Sequence, residues 1–276
     1  MKINLLILGL LFSFPALAQP TEQQLDRCEK EGLNFGNGLG KSSISTDCFS
    51  HFFKSHSPEA FKKSSDGKMS AYGHRNIVFI QDPNVNSERQ NVIAGIYTEL
   101  EDVAAVALND KQKEIAVLEK SGDILFFSSI ITGNVAPLRI LKNKELIGAS
   151  DLLINSLRME VIVLNKKSHE ILFFSSLANA NGRPEKKNLN LLRSFDNIHG
   201  EHMTIDTTHQ ELFVLSPQKD ALWVYDLKTS FDLPVRKISL PSLIKGVTKI
   251  EYSSPEDEVT ISGTPGQVKI PRLKSP

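Results

Sequence analysis

Over most of the chain, short apolar runs alternate with polar turns, and the runs recur in register. Glu114-Ile115-Ala116-Val117-Leu118, Glu160-Val161-Ile162-Val163-Leu164 and Glu211-Leu212-Phe213-Val214-Leu215 line up, and Glu258-Val259-Thr260-Ile261 completes the series. The glutamates are 46, 51 and 47 residues apart. Five residues before each stands a small polar side chain: Asn109, Asn155, Asp206 and Ser253. Ten or eleven residues after each begins another run: Ile124-Leu125-Phe126-Phe127, Ile171-Leu172-Phe173-Phe174, Leu222-Trp223-Val224-Tyr225 and Val268-Lys269-Ile270. A further run follows in three units, at Leu138-Arg139-Ile140, residues 189–192 and Val235-Arg236-Lys237-Ile238. Runs of this length, bounded by turn residues, predict strands.

Four short strands in each unit of about 47 residues is the period of a β-propeller blade. Runs such as residues 161–164 are continuously apolar, so both faces must be buried, as in the middle strand of a blade packed between two others. The fourth runs carry more charge, which suits an outer edge. Asn109, Asn155 and Asp206 fall where the first strand turns into the second, and a side chain that caps its own backbone turn is favoured there. Asn76-Ile77-Val78-Phe79-Ile80 matches the third strand of an earlier, incomplete unit at about residues 66–101.

The expectation is an all-β fold: a small β-propeller of four-stranded antiparallel blades over residues 66–276, with five blades favoured and four as the alternative. Its last unit has three strands, near residues 248–252, 259–261 and 268–273. Five blades require residues 268–270 to pair with 259–261. Four require residues 77–80 to share that sheet. Phe126, Phe173 and Trp223 should lie between adjacent blades.

Residues 1–18 read as a secretory signal peptide: Lys2, an apolar run from Ile3 to Phe14, and Ala16-Leu17-Ala18 before Gln19. The run is shorter than the ~20 apolar residues that span a membrane. No Cys follows the cleavage site, which argues against a lipid anchor there. No later segment is apolar enough to cross a bilayer, so a periplasmic or secreted protein is expected. Residues 19–65 read as a cap, with short helices over 22–31, 48–53 and 59–63. Cys28 and Cys48 are the two cysteines in the chain. An oxidising compartment would join them, and a loop of this length is worth roughly 3 kcal/mol. Between them, Gly40-Lys41-Ser42 resembles the end of a phosphate-binding loop. Phe35 occupies the position of that motif's first Gly, so the stretch reads as a disulfide-closed loop.

Met203-Thr204-Ile205-Asp206 followed by Glu211-Leu212-Phe213-Val214 resembles the blade signature of NHL and YVTN-type propeller repeats. Gly133 with Pro137-Leu138-Arg139-Ile140 is similar to the stretch that closes such blades. The resemblance covers roughly residues 100–270. It implies an architecture shared by scaffolds, binders and some enzymes.

Charge adds exclusions more than assignments. The chain has 32 basic and 32 acidic residues, so the surplus expected of a nucleic-acid binder is missing. In a propeller, the loops between strands two and three and the blade-to-blade connections share one face. Here the former contain Lys120, Lys166, Lys167 and Lys219, and the latter Lys144, His199, His202 and Lys245. Glu119, Asp123, Glu145, Glu170, Asp196 and Glu201 lie nearby. One reading is ordinary solvated loops. The other is a face that attracts an anionic glycan or an acidic protein of the cell envelope.

His199-Gly200-Glu201-His202 has metal-ligand residue types. Register puts His202 beside Ala105, Asp151 and Lys249 around the central tunnel. An alternative function is therefore a metal-assisted hydrolase or lactonase using Asp151, Glu201 and His202, set against a turn histidine. No G-x-S-x-G, H-E-x-x-H or C-x-x-C-H occurs. The main expectation is a non-enzymatic binding or scaffold module without a cofactor.

Overall fold

A computed structural model describes residues 43–45, 60–64, 69–82, 89–176, 186–188, 191–229, 233–240, 245–264 and 266–272. The signal peptide expected over 1–18, the helices expected over 22–31 and 48–53, the glycine-rich loop over 32–42 and the expected Cys28–Cys48 bond lie outside these residues. Five small antiparallel sheets stand in a ring, forming a five-bladed β-propeller.

Blade I contains β1 (Ser43–Ser45), β2 (Ala60–Lys63), β3 (Ser70–His74), β4 (Ile77–Gln81) and β5 (Arg89–Ala94). Blade II contains β6 (Val103–Asn109), β7 (Glu114–Glu119), β8 (Ile124–Ser128) and β9 (Arg139–Lys142). Blade III is β10 (Ala149–Asn155), β11 (Glu160–Asn165), β12 (Glu170–Ser175) and β14 (Leu191–Phe195), after β13 (Lys186–Asn188) has crossed to blade II. Blade IV is β15 (His202–Asp206), β16 (Glu211–Ser216), β17 (Ala221–Asp226) and β18 (Arg236–Ser239). Blade V has three strands, β19 (Lys245–Ser253), β20 (Glu258–Thr264) and β21 (Gln267–Pro271). The first strand of each main series, β2, β6, β10, β15 and β19, lies innermost and meets its neighbours around the axis.

Strand assignments from the repeat hold. Ile115, Val117, Val161, Val163, Phe213 and Leu215 sit in second strands, and Phe126, Phe173 and Trp223 in third strands. Val259 pairs with Ile270 and Ile261 with Val268, while β4 belongs to blade I, so the ring has five blades.

One stretch departs from expectation. The helix expected over 59–63 is strand β2, with Phe61 opposite Tyr72 and Lys63 opposite Ser70. Pairing to β3 outweighs the helical preference of so few residues, which are too short for a stable helix alone. The first blade thus begins at Ala60 and is complete, instead of starting incomplete near residue 66. Ser43–Ser45, also placed in the cap from sequence, pairs with β5 at the outer edge of the same blade.

Apolar side chains fill the spaces between blades. Ile80, Val106, Val117 and Phe127 pack between I and II, and Ala116, Phe126, Leu152 and Phe174 between II and III. Phe173, Phe195, Met203 and Val214 fill the III–IV joint, and Phe213, Val224, Ile250 and Val259 the IV–V joint. The β11 and β16 side chains are buried along their whole length.

The repeated glutamates now have a physical role. Glu114 accepts two hydrogen bonds from Arg139 of the fourth strand, at 2.6 and 2.8 Å, and that guanidinium lies 3.8 Å from the Phe126 ring centroid. In blade III Arg193 donates one hydrogen bond to Glu160, at 3.1 Å, and lies 4.3 Å from the Phe173 centroid, and Arg236 donates to Glu211 in blade IV. The residue just before each glutamate, Lys113, Met159, Gln210 or Asp257, has positive φ. Asn109, Asn155 and Asp206 cap those turns by accepting backbone N–H groups two or three residues on. Regular spacing of these residues is therefore turn chemistry and blade locking.

Candidate functional site

Two faces result. The connector face carries the turns between second and third strands and the links between blades. The hairpin face carries the capped turns after the first strands.

On the connector face, the structure distributes the sequence-predicted residues unevenly. Lys120 is paired with Asp102 at 2.9 Å, and Glu119 beneath it is buried, accepting from the Glu101 and Asp102 N–H groups. Burial raises the Glu119 pKa above its ordinary value, against those hydrogen bonds. Between blades III and IV the picture differs. The His169 and His199 rings are 4.5 Å apart, and Ile198 N–H donates to His169 O at 2.7 Å. Desolvation lowers the His199 pKa, with the charges of Lys219 and His169 adding to the shift. Burial likewise lowers that of His202, partly offset by Asp151 and reinforced by Lys166 and Lys62. Lys167 packs beside Gly148, in the link between blades II and III. Lys166, His169, His199, His202 and Lys219 thus belong to one sector, while Lys167 turns to the II–III link and Lys120 lies elsewhere. His169 was missed in the sequence because it sits in a hairpin, at positive φ, far in the chain from His199.

Gly200 explains the form of the His199–His202 segment. It is buried, and a Cβ there would lie 2.5 Å from Val214 Cγ1. The chain passes so close to β16 that only glycine fits. Glu201 N–H then donates to Leu215 O at 2.8 Å and β15 begins.

The top of the tunnel is crossed by Lys62, whose Nζ lies 3.0 Å from Asp151 Oδ1 and donates to Met203 O at 2.9 Å. Blade I is thereby tied to blades III and IV. Asp151 also accepts from Leu152 N–H on Oδ1 and Met203 N–H on Oδ2, each at 2.8 Å. Both its oxygens are engaged.

Below Lys62 a cavity of about 530 Å³ opens towards the hairpin face. Lys62 and Lys63 of β2 and Lys249 and Glu251 of β19 are among its lining residues. Lys249 Nζ is 2.7 Å from Glu251 and 3.6 Å from the Phe61 ring centroid, and Lys63 is 3.9 Å from Glu251. Burial lowers the Lys249 pKa, opposed by Glu251.

Among the described residues, one group of His and carboxylate ligand atoms converges closely enough to hold a metal: Asp206, His209 and Asp257. A guanidinium already stands there. Arg272 Nε lies 2.7 Å from Asp257 and 3.6 Å from Asp206, and another of its nitrogens lies 3.1 Å from His209 Nε2. Tyr252 O–H donates to Asp257 at 2.9 Å. The Arg272 hydrogen bond holds the Asp257 carboxyl below its usual range, and burial pushes the Tyr252 phenol up. Chemically this is a clamp between blades IV and V.

The chain matches no protein-family model and no curated protein. What stands of the expected resemblance is the five-bladed β-propeller architecture; no family match identifies NHL or YVTN repeats.

Proposed function

We propose that the protein is an exported, non-enzymatic β-propeller, built from NHL-like repeats, that binds polyanionic partners of the cell envelope through its connector face. The apolar run and small-residue site in residues 1–18 support export. The observation that carries the binding reading is the sector between blades III and IV. There the His169 and His199 rings, tilted against each other, stand beside Lys219, with Lys166 next to His202. Cations collected on one sector raise the local concentration of anions and speed their capture. The test is retention on immobilised dextran sulfate. Wild-type protein is retained at low salt and released as salt rises, and the Lys166→Glu/Lys219→Glu double variant passes through. Equal retention of wild type and variant overturns the assignment.

A hydrolase built on Asp151, Glu201 and His202 has weaker support. Asp151 spends its oxygens on Lys62 and two backbone N–H groups, which leaves a poor ligand for an ion. Metal analysis of the purified protein addresses that reading directly. A stoichiometric divalent ion lost in His202→Ala would favour the hydrolase.

A further inference from the structure

We propose that the central cavity binds a small hydroxylated monoanion, of the sugar-acid kind, between the first and last blades. Its volume of about 530 Å³ falls within the usual span of ligand pockets, about 300–1,000 Å³. Lys62, Lys63 and Lys249 line the cavity with Glu251, and Asp151 lies across the tunnel against Lys62, so three ammonium groups meet two carboxylates. These ammonium groups are not equivalent. Lys62 is fixed by Asp151 and Met203, whereas Lys63 is half exposed and stands 3.9 Å from Glu251, beyond hydrogen-bond range. Glu251 Oε1 is buried and accepts no hydrogen bond. An anion reaching Lys63 and Lys249 would supply the negative charge that Asp151 and Glu251 leave short.

The wall and mouth narrow the chemistry further. Thr204, Thr260 and Ser253 line the wall, and Ser156, Thr207 and Ser254 the mouth, so hydroxyls of a ligand meet hydroxyls of the protein. Asp110 and Glu256 also stand at the mouth, where they repel a polyanion more strongly than a single carboxylate. Lys269 also lines the cavity but is paired with Glu258, so the one ammonium group in excess among Lys62, Lys63 and Lys249 favours one negative charge on a polar body. Because Lys63 comes from blade I and Lys249 from blade V, such a ligand fastens the ring where no strand pairing among the described residues closes it. It binds the closed ring and not the unfolded chain, so it raises the melting temperature.

This site is independent of the connector-face sector, and the test keeps the two apart. D-glucuronate is titrated against the full chain, with D-glucose as neutral and D-glucosamine as cationic control. Calorimetry and the fluorescence of Trp223, the single tryptophan, are the readouts. Glucuronate raises the melting temperature and the two controls do not. Affinity for it falls about tenfold in Lys63→Gln and in Lys249→Gln, and is unchanged in the Lys166→Glu/Lys219→Glu variant. Lys63 is half exposed, so its replacement leaves the fold intact. Absence of any response to glucuronate at about 10 mM, an equal response to glucose, or undiminished affinity in both lysine variants overturns the proposal.

Discussion

The two sides of blade V face different worlds. Towards blade IV it presents Ile250, Val259, Ile261 and Ile270, which pack with Phe213, Leu215 and Val224, and Phe213 stacks on Tyr252 with ring centroids 5.8 Å apart. Towards blade I the same sheet presents Lys249 and Glu251, which meet Phe61 and Lys63 through a cation–π contact and ion pairs. One joint rests on burial and the other on charge. The repeat is kept on the first side and abandoned on the second, and the cavity lies against the second. Space and chemistry arise together where apolar residues give way.

The comparison can be broken most severely at Phe213. Its side chain is buried to 1 % exposure at the apolar joint, and Phe213→Ala should cost about 3–5 kcal/mol in chemical denaturation followed by Trp223 fluorescence. A loss under about 1 kcal/mol would mean that the joint is not a packed core. Arg272→Ala, which strips the clamp from Asp206, Asp257 and Glu211, should cost about 1–2 kcal/mol by the same assay.

That clamp carries a pH signature. A carboxyl depressed in the folded state contributes stability above its unfolded pKa and loses it as pH falls through the folded one. Asp257, held below its ordinary 3.8 by Arg272, should therefore weaken the IV–V joint only below about pH 4. Arg272→Ala should remove this part of the acid limb. An unchanged limb would assign the acid sensitivity elsewhere.

At the charged joint, effects should be small. Lys249→Met should shift stability by less than about 1 kcal/mol in either direction, because burying the ammonium costs nearly what its partners return. A loss as large as that of Phe213→Ala would erase the distinction between the joints. Smallest of all, Lys113→Gly should stabilise blade II by about 0.5 kcal/mol, since Lys113 sits at φ 53° in an exposed turn. Such a gain would show that the turns hold strain the joints do not share.

The fold was legible where burial is two-sided. Residues 161–164 are apolar without interruption because β11 has a blade on each side, and the glutamates keep register because each meets the arginine or lysine of its own sheet. Ala60–Lys63 was hidden because half of it is lysine, a composition set by the tunnel and not by a core. The loop lysines and His199 could be picked from turn positions alone. Lys62 meeting Asp151 could not, since 89 residues separate them and no local pattern encodes the approach. One signal was present. Two residues before the capping positions stand Ala107, Leu153 and Thr204, but Glu251 in the last blade, and that charged exception marked the inner wall of the cavity.

The third-to-fourth-strand loops of blades II and III do not stay at home. Gly133 exchanges hydrogen bonds with Val92 and Ala94 on the outer edge of blade I, and Lys186–Asn188 runs parallel to β9 on the outer edge of blade II. Each of these blades is therefore finished by its successor. In a chain synthesised from its amino end, the upper half of β5 stays an open edge until residue 133 has been made, and β9 until residue 188. An unsealed strand is the part of a nascent protein most prone to pair with a stranger. The order of synthesis thus sets how long each half-built blade depends on shelter from its surroundings.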